Sequence, residues 1–277
     1  MRLLRHLSRA LLATIVVAAG AWAAVALPRT PSADRHWAAD HARLARASLE
    51  GDSVRIHDVR DFRHSAADRY AEGWYDRTYQ LADLSSVWYV VTPFSTSFRG
   101  PAHTFVSFGF GDTTFVAISV EARREVGERY SLIAGLVRDF EVAYIVGDER
   151  DLLARRALYD GGEVFLYPVR ATPEAMRRMF VEMLERANAL QERPEFYNTL
   201  TNNCTSNLID HVNRVAPGRL SAGIKTILPG YSDEVALSLG LLDADGSLEA
   251  VRARYRINDR ARAAGASVDF SRLVRAR

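Results

Sequence analysis

The sequence predicts an α+β fold: an antiparallel sheet with packed helices, behind one apolar N-terminal helix. Three observations carry that expectation. Two β-rich runs flank Gly109-Phe-Gly-Asp112, an apolar stripe recurs at helical spacing from Met176 to Leu190, and the first 27 residues read basic and then apolar.

Taken in order, Arg2, Arg5 and Arg9 precede an uncharged run from Ala10 to Leu27. That length suffices to cross a bilayer. The basic flank stays on the cytoplasmic side, which exports everything after it. The run is long for a signal peptide, which favours a transmembrane anchor through residues 10–27 in the bacterial inner membrane. A cleavable signal would be cut near Ala21-Trp22-Ala23 or Ala24-Val25-Ala26, releasing the chain to the periplasm. Pro28 and Pro31 make the following segment an extended linker. Residues 36–50 are predicted as a short amphipathic helix, and Ser53–Phe62 alternates like a strand. Tyr70–Tyr79 is rich in aromatics, and Val87–Val91 reads as a buried strand.

His103–Phe108 and Thr113–Val120 form a predicted hairpin around Gly109-Phe-Gly-Asp112, with Phe108 level with Thr113. Phe140–Val146 and Glu163–Val169 read as further strands, with a helix over Asp148–Leu158 between them. Thr172-Pro173 opens a long helix as N-cap and first-turn proline, and Pro194 closes it. Its Met176, Met179, Phe180, Met183, Leu184 and Leu190 form a core stripe. Asn202-Asn203-Cys204 opens another helix, with Leu208, Ile209, Val212 and Val215 on one face, stopped by Pro217-Gly218. The final 60 or so residues alternate short helices with Gly and Pro and contain no repeat.

Charge and residue counts narrow the function. There are 36 Lys+Arg against 34 Asp+Glu, a net charge of +2, so no field points to nucleic acid. The basic residues are arginines apart from Lys225. One cysteine excludes an internal disulfide and a cysteine-rich zinc site. Seven scattered histidines contain no HExxH pair, so neither a metal nor a cofactor is expected.

That cysteine, Cys204, is the candidate nucleophile. At a helix start, unpaired amides and the positive end of the helix dipole favour a thiolate and offer N–H donors to an oxyanion. The competing reading is a small buried hydrophobe. A nucleophilic thiol needs a base. His211 lies seven residues along the same helix, which is about 10 Å and too far. His103 opens a strand of the predicted hairpin and is the better candidate, against the plainer reading of a satisfied structural histidine. One register slip would set Ser119 opposite His103 and Glu121 diagonal to it on the same face. Glu121 could then orient the ring, or simply pair with Arg123 or Arg124 at the surface. Asn202, Asn203 and Tyr197 are the candidate residues supporting substrate or oxyanion. Arg123-Arg124 and Arg155-Arg156 read either as contacts to anionic headgroups or as ion-paired surface.

Four segments then resemble a known family. They are His-Thr-Phe-Val-Ser-Phe-Gly-Phe (103–110), Ile-Ser-Val-Glu-Ala-Arg-Arg-Glu (118–125), Tyr-Ile-Val-Gly-Asp-Glu-Arg-Asp (144–151) and Phe-Tyr-Asn-Thr-Leu-Thr-Asn-Asn-Cys-Thr (196–205). Together they resemble the Lnb N-terminal periplasmic domain family, from about Tyr70 to the Asp-Phe-Ser of 269–271. The resemblance implies a circularly permuted papain-like fold and lipoprotein acyl transfer, with His103 as base, Cys204 as acyl acceptor and Glu121 as orienter. It divides the chain into residues 1–30, a membrane segment; 31–68, a juxtamembrane region; and 69–277, a thiol domain with a helical extension. The implied partner is a membrane lipid or lipoprotein substrate. A thiol peptidase or amidase of the envelope and a non-catalytic envelope assembly protein are the alternatives.

Overall fold

The structure, a computed structural model, describes residues 2–95, 97–220 and 228–276. Its first element is the helix α1 (Arg2–Ala26), within which Arg9–Ala26 is long and apolar enough to span a membrane or serve as a signal sequence. The end of α1 is tied to the body of the protein. Trp22 Nε1 donates to the Leu136 carbonyl at 2.8 Å, Arg138 lies over the Trp22 ring, and Arg29 pairs with Asp139.

Residues 36–50 depart from the predicted helix. Only α2 (Ala39–Ala42) is helical, and β1 (Arg46–Glu50) pairs antiparallel with β2 (Ser53–Arg60). The signal lay in Gly51-Asp52: Gly51 has φ +59°, which a hairpin turn requires and a side chain resists. The aromatic stretch forms β4 (Arg69–Ala71), paired with β3 (Arg63–Ala66), and then β5 (Trp74–Gln80), which lies on β2. The other strands are β6 (Leu84–Pro93), β7 (Ala102–Phe110), β8 (Thr114–Arg123), β9 (Glu141–Gly147) and β10 (Phe165–Pro168). They build an eight-stranded sheet in the order β1-β2-β9-β8-β7-β6-β10, with β5 also on β2. Every pairing is antiparallel except the single bridge of Arg60 to Gly147, where β2 meets β9 in parallel.

The hairpin forms with a different register. Gly109 belongs to β7, and the turn falls at Gly111, with φ +63°. Gly109 is glycine for a packing reason, since a Cβ there would sit 2.7 Å from the Phe115 ring. Phe108 pairs with Val116, not Thr113. Helix α3 (Leu132–Leu136) precedes β9, and α4 (Glu149–Leu158) follows it with Asp148 as N-cap. Thr172 caps α5 (Pro173–Glu192) by accepting from Ala175 N, and its Met176, Phe180, Met183 and Leu184 are buried as expected. Next, among the described residues, come α6 (Cys204–Val215) and the short helices α7 (Ser232–Ser238), α8 (Leu248–Tyr255), α9 (Asn258–Ala264) and α10 (Phe270–Leu273).

Helices cover both faces of the sheet, and strand alternation sorts the side chains between them. Val106, Phe108 and Phe110 of β7 pack with Phe180, Met183 and Leu208 of α5 and α6. Phe105 of the same strand points the other way, into Leu152, Leu153, Ala261 and Phe270. Cys204 belongs to the first face and His103 begins on the second, so they can meet only at the end of β7.

Candidate active site

The segment before α6 shows why its residue types are what they are. Asn198 and Asn202 exchange backbone bonds (2.9 and 3.0 Å), closing a tight loop. The Asn198 carboxamide oxygen accepts from the N–H groups of Leu200 and Thr201. Asn202 donates to the Phe196 carbonyl and accepts from Asn207 Nδ2. Asn203 is the N-cap: its oxygen accepts from Thr205 N (2.9 Å) and Ser206 N (3.0 Å), and its Nδ2 donates to the Thr199 carbonyl. Ser206 Oγ accepts from Asn203 N and completes a capping box. Both asparagine side chains are thus engaged in holding the helix start. They shape the site by fixing where Cys204 sits, and because the Asn203 cap takes up the Thr205 and Ser206 amides, the Cys204 N–H is the first-turn donor these bonds leave for an oxyanion.

Cys204 is buried in the first turn of α6. The adjacent Thr205 hydroxyl lies 3.1 Å from Thr104 Oγ1, which seats the helix on β7 beside His103. The His103 ring and the Thr104 backbone N–H lie close enough to the sulfur to draw the thiol's pKa down, and Thr205 Oγ1 is 3.8 Å from it. The ring nitrogen Nε2 is 2.7 Å from Ser119 Oγ and 3.2 Å from Glu121 Oε1. Ser119 donates its only hydrogen to Glu121 at 2.7 Å, so toward the ring it can only accept. Nε2 therefore carries a hydrogen, and Nδ1 is the nitrogen left to face the sulfur.

Charge placement sets the protonation states. Burial disfavours a charged imidazole and Arg156 adds to that, but the Glu121 charge, together with hydrogen bonding to Cys204 and Glu121, outweighs both. The net result raises the His103 pKa to about 9. Burial also pushes the Cys204 thiol up, and the His103 bond and charge more than reverse that. Glu121 is likewise disfavoured by burial, yet His103 and Arg156 hold it well below the usual carboxylate range. The three shifts run together in series, toward the thiolate form of Cys204, the charged form of His103 and the ionised form of Glu121.

Two further residues, Arg156 and the Ser119 expected opposite His103, complete this network. Arg156 of α4 holds Glu121 at 2.8 Å, in place of the surface pair with Arg123 or Arg124. Ser119 bridges the ring and the acid. Ser119-Val120-Glu121 alternation already put both polar groups on one strand face, whereas Arg156 required the packing of α4. Arg123 lies over Trp37 and donates to the His41 carbonyl, and Arg124 pairs with Asp40, so both arginines are engaged within the protein. His211 is not in the site; it bonds the Tyr144 hydroxyl at 2.8 Å behind α6.

The thiol faces a cleft of about 760 Å³. His103, Glu121, Tyr130, Tyr197, Asn203 and Cys204 line it. The buried Tyr197 stands in its wall, with its hydroxyl 3.3 Å from that of Tyr130. Gly135 lets α3 pack there, since a Cβ would lie 3.3 Å from the Tyr197 ring and collide with the Thr199 hydroxyl. Among the described residues, no group of three or more His, Cys, Asp or Glu is placed to hold a metal.

The fold and the site together define a mixed α+β protein with a buried thiol at a helix N-terminus, beside a histidine in contact with a carboxylate. The model of the Lnb N-terminal periplasmic domain matches residues 70–230, more than half of the chain, and the chain belongs to that family. The match includes Tyr70, His103, Glu121 and Cys204; residues beyond 230, including the Asp-Phe-Ser of 269–271, lie outside it. Searches among curated proteins and among solved structures found no match.

Proposed function

We propose that this protein is a membrane-anchored periplasmic acyltransferase that carries an acyl group on Cys204 as a thioester. The observation that carries the reading is the series Cys204–His103–Ser119/Glu121 at the wall of an open cleft. The arrangement has the parts of a permuted papain-like site, with histidine before cysteine in the chain. Family membership supports a periplasmic setting, and α1 is read as a retained anchor that holds the cleft near lipid.

The thiolate attacks the carbonyl carbon of an ester or amide in a lipid or lipoprotein. The Cys204 backbone N–H, at the start of α6, stabilises the oxyanion. The tetrahedral intermediate breaks its C–O or C–N bond, and the leaving group takes the proton from His103. An amine then attacks the thioester and gives its proton back to His103. The C–S bond breaks and the thiolate returns. Glu121, itself fixed by Arg156, keeps the ring oriented and charged.

Intact-mass analysis tests this directly. The full chain in vesicles containing acyl esters gains a hydroxylamine-labile acyl mass that Cys204→Ala lacks. No labile adduct on the wild type, or the same adduct on the variant, would overturn the reading. Release of muropeptide or peptide fragments in its place would assign the site to an envelope amidase or peptidase.

A further inference from the structure

The cleft that holds the thiol has two unlike ends. At one, Phe94, Leu132 and Leu200 line the cleft yet are 58%, 49% and 56% exposed. Tyr130 connects them to the site, stacking edge-on against Phe94 and against Tyr197. Apolar side chains presented this way around a cleft mark a binding surface for something apolar.

At the other end, arginines line the same cleft beyond Glu121. Arg60 and Arg156 are each matched, by Asp151 at 2.7 Å and Glu121 at 2.8 Å. Arg124 and Arg155 both reach the carboxylate of Asp40, at 2.8 and 3.7 Å. Arg155 also approaches Asp160 at 3.5 Å, but its Nε is buried and makes no hydrogen bond. The neighbouring His41 adds no charge. Burial and the nearby Arg124 and Arg60 charges hold its pKa down at about 4, and its Nδ1 accepts from Arg124 N. Arg124 and Arg155 keep about a quarter of their side chains exposed, enough for a ligand to reach them.

We infer that the cleft takes an acyl ester whose non-acyl side carries an anionic group, a phosphate or a carboxylate held by Arg124 and Arg155, while the acyl chain lies along Phe94, Tyr130, Leu132 and Leu200. The guanidinium forks of Arg124 and Arg155, both partly exposed in the cleft, are N–H donors matched to such an anion. The carbonyl then falls between the two ends, at Cys204. This deepens the acyl-transfer reading by naming the chemistry of the donor, and its test does not depend on turnover.

Protection of Cys204 from iodoacetamide is the readout, on the full chain in neutral detergent. The probes are palmitoyl lysophosphatidylglycerol, neutral monopalmitoylglycerol and inorganic phosphate. The anionic amphiphile should protect at about tenfold lower concentration than the neutral one, the worth of one charge-assisted contact. Inorganic phosphate should protect far more weakly, because it lacks the chain. In the Arg124→Gln/Arg155→Gln double variant the preference should fall to about one, while Arg155→Lys should retain most of it. Each protein carries its own control in the neutral probe, and Arg155→Lys covers a double variant that folds poorly. Equal protection by the two amphiphiles in the wild type would overturn the inference, as would an unchanged preference in the double variant. Protection by phosphate equal to that of the anionic amphiphile would remove the apolar half. Failure to find an acyl-thioester in the mass experiment would strike the acyl-transfer reading and leave this binding result standing.

Discussion

Two histidines lie against opposite ends of α6, and they end up in opposite charge states. His103 and His211 are both buried, at 8% and 3% exposure. His103 has Glu121 Oε1 at 3.2 Å and its pKa rises to about 9. The nearest carboxylate oxygen to His211, from Glu182, is 4.0 Å from Nδ1, and neither atom makes a hydrogen bond. Burial, helped by the charges of Arg214 and Arg186, then takes His211 down to about 4. Burial alone produces a neutral ring; a carboxylate in direct contact produces a cation. The site is therefore defined less by Cys204 than by Glu121, which makes its neighbour a charged partner.

The comparison can be broken most completely by removing its products. Cys204→Ser and His103→Ala should each abolish acyl transfer while circular dichroism and melting show an intact fold; retained activity in both would end the mechanism. Glu121→Gln asks the sharper question, because it should turn His103 into a second His211. In the wild type the His103 ring should titrate by NMR near 9. In the variant it should fall below the ordinary histidine value, with thiol labelling at neutral pH reduced by roughly 10- to 100-fold. A ring that stays charged without Glu121 would show that another group controls it.

The same contrast sets a pH dependence for stability. His41 and His211 have folded pKa values near 4, below the unfolded value of about 6.5. The unfolded chain takes up protons first, so stability should fall as pH drops from about 6.5 toward 4. His103 is raised, so its contribution is complete below about 6.5 and disappears as pH rises through about 9. Urea unfolding across pH checks both limbs. The smallest effect is expected from His211→Gln, which should soften the acid limb, cost about 1–2 kcal/mol and leave Cys204 labelling unchanged. Altered labelling there would join the two regions that the structure separates.

Much of this site could be read from alternation and capping. Asn203 before Cys204 announced a helix start, and Ser119 and Glu121 shared a strand face whatever the register. The register itself was misread because Gly109 looked like a turn residue, when it is small to clear the Phe115 ring. With Val106 opposite Ile118, carrying the ladder three residues further sets His103 level with Glu121. That is closer than the diagonal placement expected. β1 was missed because its five residues, Arg46–Glu50, are mostly exposed and their alternation rests on Ala47 and Leu49 alone; the Gly51 turn was the clearer signal. Arg156 and the sharing of Asp40 by two arginines belong to tertiary packing, for which no local pattern exists.

The central claim is that His103 holds Cys204 as a thiolate. The rate of Cys204 alkylation by iodoacetamide, followed against pH in the wild type and in His103→Ala, tests it most directly. The account predicts a wild-type rate that stays high well below the ordinary thiol pKa of about 8.5, and a His103→Ala profile shifted to or above that value. Slow labelling with the same pH profile in both proteins would contradict it and make Cys204 a structural residue of the core.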